Sequence, residues 1–350
     1  MSCHRSSLQH AIFTVPNYAT GYTTDDNARA LLLTVLLEEL EGQPSTEIDI
    51  LASRYLAFLA YAFNQETGRF RNFMAYERHW LEAVGSEDCH PRAVWALGTV
   101  LGRSSNKGLR GVAARLFEQA IPVTLEFEHT HSWAITLLGI YEYLRRYGGD
   151  RVAQQIGREL AERLLTAYYR HRSDDWPWFD DAVTYSNARL PHALLLCGHW
   201  LDRDDMSEVG LTTLEWLAEI QRSERGHFVP IGNHGFFRRS REKPRFDQQP
   251  IEAQAMVSAC LTAYQLTDDQ KWFLEARRAF EWFLGENDLR LPLYDAATGG
   301  CRDGLHADRP NQNQGAESTL AFLLALAEMM LGQHLINRMT ASTIEESVQV

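Results

Sequence analysis

Four acidic residues stand at matched places in three stretches of the chain: Asp25 and Asp26 in GYTTDDNARALL, Glu252 in RFDQQPIEAQAM, and Glu317 in NQGAESTLAFLLAL. Each sits just ahead of a run of apolar residues almost free of charge. A carboxylate in the first turn of such a run meets unpaired backbone N–H groups and the positive end of the helix. Glycoside hydrolysis needs two carboxyl groups across the scissile bond, one protonated as acid and one ionised as base or nucleophile. Neighbouring helix axes lie ~8–10 Å apart, so acids at one height on adjacent helices can span the ~6.5–9.5 Å of an inverting pair. Glu252, Glu317, Asp25 and Asp26 are therefore the candidate catalytic acids.

Polar segments around these helix starts carry what sugar recognition asks for. Sugars offer hydroxyl edges to carboxylates, amides and Arg, and apolar faces to aromatic rings. Trp176, Trp178, Tyr185 and Phe236 supply candidate ring faces. Arg29, His90, Arg92, His131, Asp180, Asp181, Asn187, Arg189, Asn233, His234, Asp247, Gln248, Gln249 and Asn313 supply candidate polar partners. A pair of histidines drawn from His90, His131, His192 and His234 would suit a different chemistry, sugar epimerisation by acid and base. Plainer uses stand beside all of these. Asp25 or Asp26 can cap its own helix; Glu252 and Glu317 can form ion pairs with Arg29, Arg92 and Arg189; the aromatic cluster can be core and Asp180 and Asp181 turn residues.

The elements that position these residues are helical nearly throughout. Five segments, Asp49 to Phe63, Gly108 to Ile121, Arg151 to Tyr169, Glu208 to Gln221 and Lys271 to Gly285, alternate apolar and charged residues at three-to-four spacing, as half-buried helices do. Six others, NARALLLTVLL, HPRAVWALGTVLG, HSWAITLLGIYEYL, NARLPHALLLCGHWL, PIEAQAMVSACLTAY and GAESTLAFLLALAEMML, are apolar almost all round and must be buried all round. The two kinds alternate at irregular intervals of roughly 40 to 65 residues, a long-period helical repeat. An inner ring of buried helices inside an outer ring of amphipathic ones follows: an all-α, (α/α)6 toroid. Aligning the inner helices places Arg29, Arg92, Trp133, Arg189, Glu252 and Glu317 at one register, a polar ring at one mouth. The sixth outer helix is unaccounted for; either the C-terminal segment GQHLINRMTASTIEESVQV supplies it, or an N-terminal helix has been lost.

Composition narrows the rest. The chain has 350 residues, 45% hydrophobic and 23% charged, with no break that forces a second domain, so residues 1–350 read as one toroid with a core of about 9–331 and a tail at 332–350. A formal net charge of −12 argues against a nucleic-acid groove, which needs a basic surface. The five cysteines show no CxxC spacing and the histidines no compact ligand spacing, so neither a metal nor a disulfide framework is expected. No Gly-rich phosphate loop appears, and no cofactor is expected. The N-terminus MSCHRSSLQH lacks a signal-peptide core and no run reaches the ~18 apolar residues of a membrane span, which places the protein in the cytoplasm.

The stretches GYTTDDNARALL, RFDQQPIEAQAM and NQGAESTLAFLLAL resemble the hallmark segments of a bacterial α/α-toroid family within the six-hairpin glycosidase-like superfamily, found alone or joined to glycosyltransferase domains. The resemblance runs from Gln9 to about Leu331. It implies a carbohydrate-active enzyme with an oligosaccharide or glycoconjugate substrate, and a glycosyltransferase partner. Similar toroids that cleave mannans or other oligosaccharides place acids at the inner-helix mouths, sometimes as an adjacent Asp pair, which Asp25 and Asp26 resemble. Phe236 stands where relatives would carry Trp. Three functions remain open at this point: an inverting glycoside hydrolase first, then a sugar epimerase or isomerase using histidines, then a non-catalytic carbohydrate-binding module.

Overall fold

Charge-poor runs can be satisfied only by helices packed on every side, and the structure shows how they achieve it. The computed structural model describes residues 7–42 and 45–348, with side chains through residue 334. Among the described residues the inner helices are α1 (Thr24–Glu41), α3 (Cys89–Arg103), α5 (Thr130–Tyr147), α7 (Arg189–Leu201), α9 (Pro250–Thr267) and α11 (Ala316–Val348). The outer ones are α2 (Thr46–Ala62), α4 (Lys107–Ala120), α6 (Arg151–His171), α8 (Asp204–Ile220) and α10 (Gln270–Glu281). Each inner helix packs on the next, and α11 packs back on α1, so the inner ring closes as an (α/α)6 toroid. In α9 every residue from Pro250 to Leu261 is buried, whereas α10 buries only Trp272, Ala276 and Ala279.

The C-terminal segment prolongs α11 to Val348 instead of turning back as an outer helix. The Gly332 that follows the apolar run does not end the helix. Two-residue strands, not anticipated from the sequence, stitch the mouth loops together: Tyr22–Thr23 pairs with Phe73–Met74, and Ala182–Val183 with Phe237–Arg238. No described helix is long and apolar enough to cross a membrane.

Side-chain capping is commoner in the outer ring, although Thr23 caps the inner α1 and the outer α8 has no such cap. Ser45, Asn106, Asp150 and Asp269 cap the outer helices α2, α4, α6 and α10 with their side chains. The inner helices α3, α5, α7 and α9 have no side-chain cap. Their N-terminal donors must therefore find other partners at the mouth, which is where polar chemistry gathers.

The ring also needs close approach. A Cβ added at Gly98 of α3 would lie 2.1 Å from the Gly139 carbonyl oxygen of α5, and one at Gly102 would lie 2.0 Å from that of Glu142. Gly98→Ala should cost about 2–3 kcal/mol by forcing the two backbones apart. Gly111→Ala on α4, where a Cβ meets nothing within 4 Å, should be neutral or stabilising. Thermal unfolding of the two variants checks the contrast.

Candidate functional site

At the mouth of α1, Thr23 caps the helix and Asp26 closes a box with it. The Asp26 N–H donates to Thr23 Oγ1 at 3.1 Å, and the Thr23 hydroxyl donates to Asp26 Oδ2 at 2.6 Å. Asp26 is thus engaged by its own helix, and burial pushes its carboxyl up to about 7 against the pull of Arg29. Asp25 faces the neighbouring helices. Arg29 donates to it at 3.0 Å, and Arg92 of α3 brings Nε to 2.8 Å from its Oδ1, an ion pair whose angle does not make a hydrogen bond.

These contacts belong to a longer belt. Arg29 also donates to Glu317 of α11 at 2.7 Å. Arg92 donates to Asp88 at 3.0 Å, and the Tyr185 hydroxyl donates to Asp88 at 2.9 Å. Burial opposes ionisation of Asp88, but Arg92 and Tyr185 draw it below the usual carboxylate range. His131 of α5 stacks on Tyr185 with ring centroids 4.7 Å apart, and its Nε2 has no hydrogen-bond partner. The belt Glu317–Arg29–Asp25–Arg92–Asp88–Tyr185 joins α11, α1, α3 and the turn before α7. Asp88 was not among the sequence candidates; its only signal was its place in EDCHP, four residues before Arg92.

Glu252, on α9 beside α11, has a different setting. Its carboxylate accepts hydrogen bonds from the backbone N–H of Ser186, from that of Asn187 at 3.5 Å and from Asn187 Nδ2 at 2.8 Å. Glu252 thereby serves the donors of the turn that leads into α7, and the structure pairs it with no arginine. It is 3% exposed, and burial raises its pKa to about 7 despite those hydrogen bonds. Arg189 stacks on Trp95, its Cζ 4.6 Å from the ring centroid, and donates to Gln254. Gln254 and Ser258 both donate to Glu328, the latter at 2.6 Å, above a cavity of about 130 Å³ along the ring axis. Glu328, well inside α11, carries no positional signal in the sequence.

Several predicted contacts lie elsewhere. His90 is in the core: its Nε2 meets the Ala120 carbonyl at 2.9 Å, its Nδ1 accepts from Phe70 N–H at 3.3 Å, and burial pushes its pKa down to about 3. His192 lies below the mouth, with Nε2 2.9 Å from Thr262 Oγ1. Trp176 and Trp178 are buried against Trp216, with the Trp176 indole donating to the Asp180 carbonyl, so they are core and not a sugar platform. Their flanking charges mislead, because Asp180 and Asp181 point outward and Asp181 lies 3.6 Å from His171 on the outer helix α6. Gln248 is fully buried and accepts from the Trp282 indole at 2.8 Å. Asn313 accepts from Phe13 N–H at 2.9 Å and ties the N-terminal hairpin to the entry of α11. Asn233 is exposed and Phe236 half-buried in a left-handed conformation at φ 55°. Asp247, His234 and Gln249 remain partly or fully exposed beside the entry of α9. Among the described residues no group of three or more His, Cys, Asp or Glu could hold a metal ion.

No protein-family model matches the chain, and no curated protein matches it in sequence. Solved structures match over most of its length. A sugar epimerase from a ruminal bacterium shares 12% identity with a TM-score of 0.72, covering 95% of this chain and 93% of that one. A D-mannose isomerase shares 10% identity with a TM-score of 0.69 over 94% and 92%. A GH76 α-mannanase of Bacteroides thetaiotaomicron shares 10% identity with a TM-score of 0.65 over 91% and 88%. At such identities the likeness is one of fold.

The elevated pKa of Glu252 has a consequence for stability. The folded chain holds this proton to about 7, against an ordinary value of 4.5, so between those values the native state binds more protons than the unfolded state. Its contribution is greatest below the lower value and is lost as pH rises through the upper one. Glu252→Gln should flatten the fall in stability between pH 4.5 and 7.5 by up to roughly 3 kcal/mol. Urea unfolding at stepped pH measures the slope; an unchanged slope contradicts the assignment.

Proposed function

We propose that the chain is a carbohydrate-active enzyme, and within that class an inverting glycoside hydrolase acting on an oligosaccharide at the mouth of the inner ring. The observation that carries this reading is Glu252, a buried carboxyl at an inner-helix mouth that holds its proton to about 7. An acid so placed is protonated near neutrality and can deliver that proton. Glu317, on the adjacent inner helix, differs in every respect: its side chain is 43% exposed and ion-paired to Arg29. One carboxyl buried and one open to solvent give the two settings that an acid and a base take in hydrolysis.

In this scheme Glu252 gives its proton to the leaving glycosidic oxygen as the C1–O bond breaks. Glu317 takes a proton from the water whose oxygen bonds to C1 from the opposite face. Two free sugars leave, and solvent returns the two carboxyls to their starting states. Asp26 is a capping residue in this account, and Asp25 holds Arg29 and Arg92 in place. Arg29, Arg92, Tyr185 and His131 are assigned to sugar hydroxyls and ring faces.

An epimerase mechanism would rest on His131, which stacks at the belt with one nitrogen unpartnered; His90, bonded at both nitrogens in the core, is no help to it. The glycosyltransferase partner and the cytoplasmic setting also belong to the proposal. The first is supported by the motif resemblance, the second by four buried free thiols, Cys89, Cys197, Cys260 and Cys301.

On an oligosaccharide that the native chain cleaves, Glu252→Gln and Glu317→Gln should each lower kcat by at least about 100-fold, since an amide of the same shape cannot transfer the proton. Full turnover in both variants would refute the assignment.

A further inference from the structure

Next to the entry of α9 the chain forms a small backbone bridge that the hydrolase scheme does not use. Gln248 N–H donates to the Leu305 carbonyl at 3.0 Å, and Leu305 N–H to the Gln248 carbonyl at 2.9 Å. Both residues are fully buried. The Gln248 side chain turns toward α10, where it meets the Trp282 indole and donates to Asp288 at 2.8 Å. Side chains alternate along extended backbone, so the neighbours Asp247, Gln249 and His306 lie on the opposite face of the bridge.

There Asp247 and His306 meet. His306 Nδ1 lies 2.5 Å from Asp247 Oδ1, and His234 Nδ1 lies 3.5 Å from Oδ2 of the same carboxylate. The side chains of His306 and Asp247 are 32% and 31% exposed. A rigid support lies beneath them. Asp288 is buried, yet hydrogen bonds from Arg245, His227 and Gln248 bring its pKa down to about 2, so the bridge is held by an ionised hub.

We propose that Asp247 and His306 form a subsite that reads a sugar hydroxyl, with His306 as a positioning residue aimed by Asp247. The carboxylate accepts a hydrogen bond from Nδ1–H and fixes the tautomer, which leaves Nε2 as an acceptor for an O–H donor. The neighbouring carboxylate disfavours an anion such as phosphate, and a neutral polyol hydroxyl meets no such penalty. The subsite deepens the hydrolase reading by adding a contact five residues ahead of Glu252, and it rests on that reading for its substrate class.

The test is a titration of the native chain with mannobiose and with cellobiose, followed by long-range proton–nitrogen NMR of the imidazoles, with His306→Gln and His306→Phe to assign the signal. Turnover is measured on the same sugars and their longer oligomers. The expected result is a shift at the His306 Nε2 signal, a KM raised about tenfold with kcat kept in His306→Phe, and recovery of KM in His306→Gln, whose amide oxygen replaces the acceptor. Cleavage by the native chain with no shift at His306 and an unchanged KM in His306→Phe would overturn the subsite and leave the hydrolase standing. A shift without cleavage would keep the subsite and remove the hydrolase. Neither shift nor cleavage would remove both.

Discussion

Six helices without a polar face can be buried only by closing on one another, and closure brings six N-terminal turns to one mouth. Everything else in the molecule answers to that constraint. Apart from Glu328 and the Arg103–Glu142 pair, the charge-poor faces leave little room for charge along the ring wall, so polar groups collect where backbone donors are left over. Arg29 stands where the last inner helix returns to the first, donating both to Asp25 on its own helix and to Glu317 on α11. The mouth is therefore at once the seam of the ring and the place where its electrostatics concentrate.

Two kinds of carboxyl result from this crowding. Asp25, Asp88 and Glu317 lie in a belt with two arginines, which draw Asp88 below the usual carboxylate range while burial still raises Asp25. Glu252 accepts from backbone N–H and amide donors and Asp26 from the Thr23 hydroxyl, with Arg29 3.5 Å from Asp26, and burial keeps the protons of both on to about 7. Neutral donors stabilise a carboxylate less than an arginine does, so Asp88, bonded to Arg92, and Glu252, bonded to backbone and amide, shift in opposite directions within one mouth.

The sequence makes the ring legible because burial on all sides demands long stretches without charge, as in PIEAQAMVSACLTAY. It also places Arg29, Arg92, Arg189, Glu252 and Glu317 at one register, since register along a helix is a matter of counting. Direction is another matter. Trp176 and Trp178 lie in a polar-looking segment, yet their rings turn inward against Trp216, a contact about 40 residues away that no local pattern announces. His90 follows the same logic: its position at a helix start suggests the mouth, but both ring nitrogens find backbone partners in the core. The Asp247–His306 contact joins residues 59 apart through a bridge between two loops, and loop pairing of that kind has no periodicity to read.

The account stands or falls on whether the mouth carries out hydrolysis across a carboxyl pair. Proton NMR of the anomeric signals, followed in time while the native chain is incubated with manno- and gluco-oligosaccharides, tests that directly. The account predicts new reducing ends that appear first with inverted configuration, because a water must fit between the two carboxyls. Unchanged chain length with a new epimer at the reducing end would contradict it and move the chemistry to a histidine at the mouth.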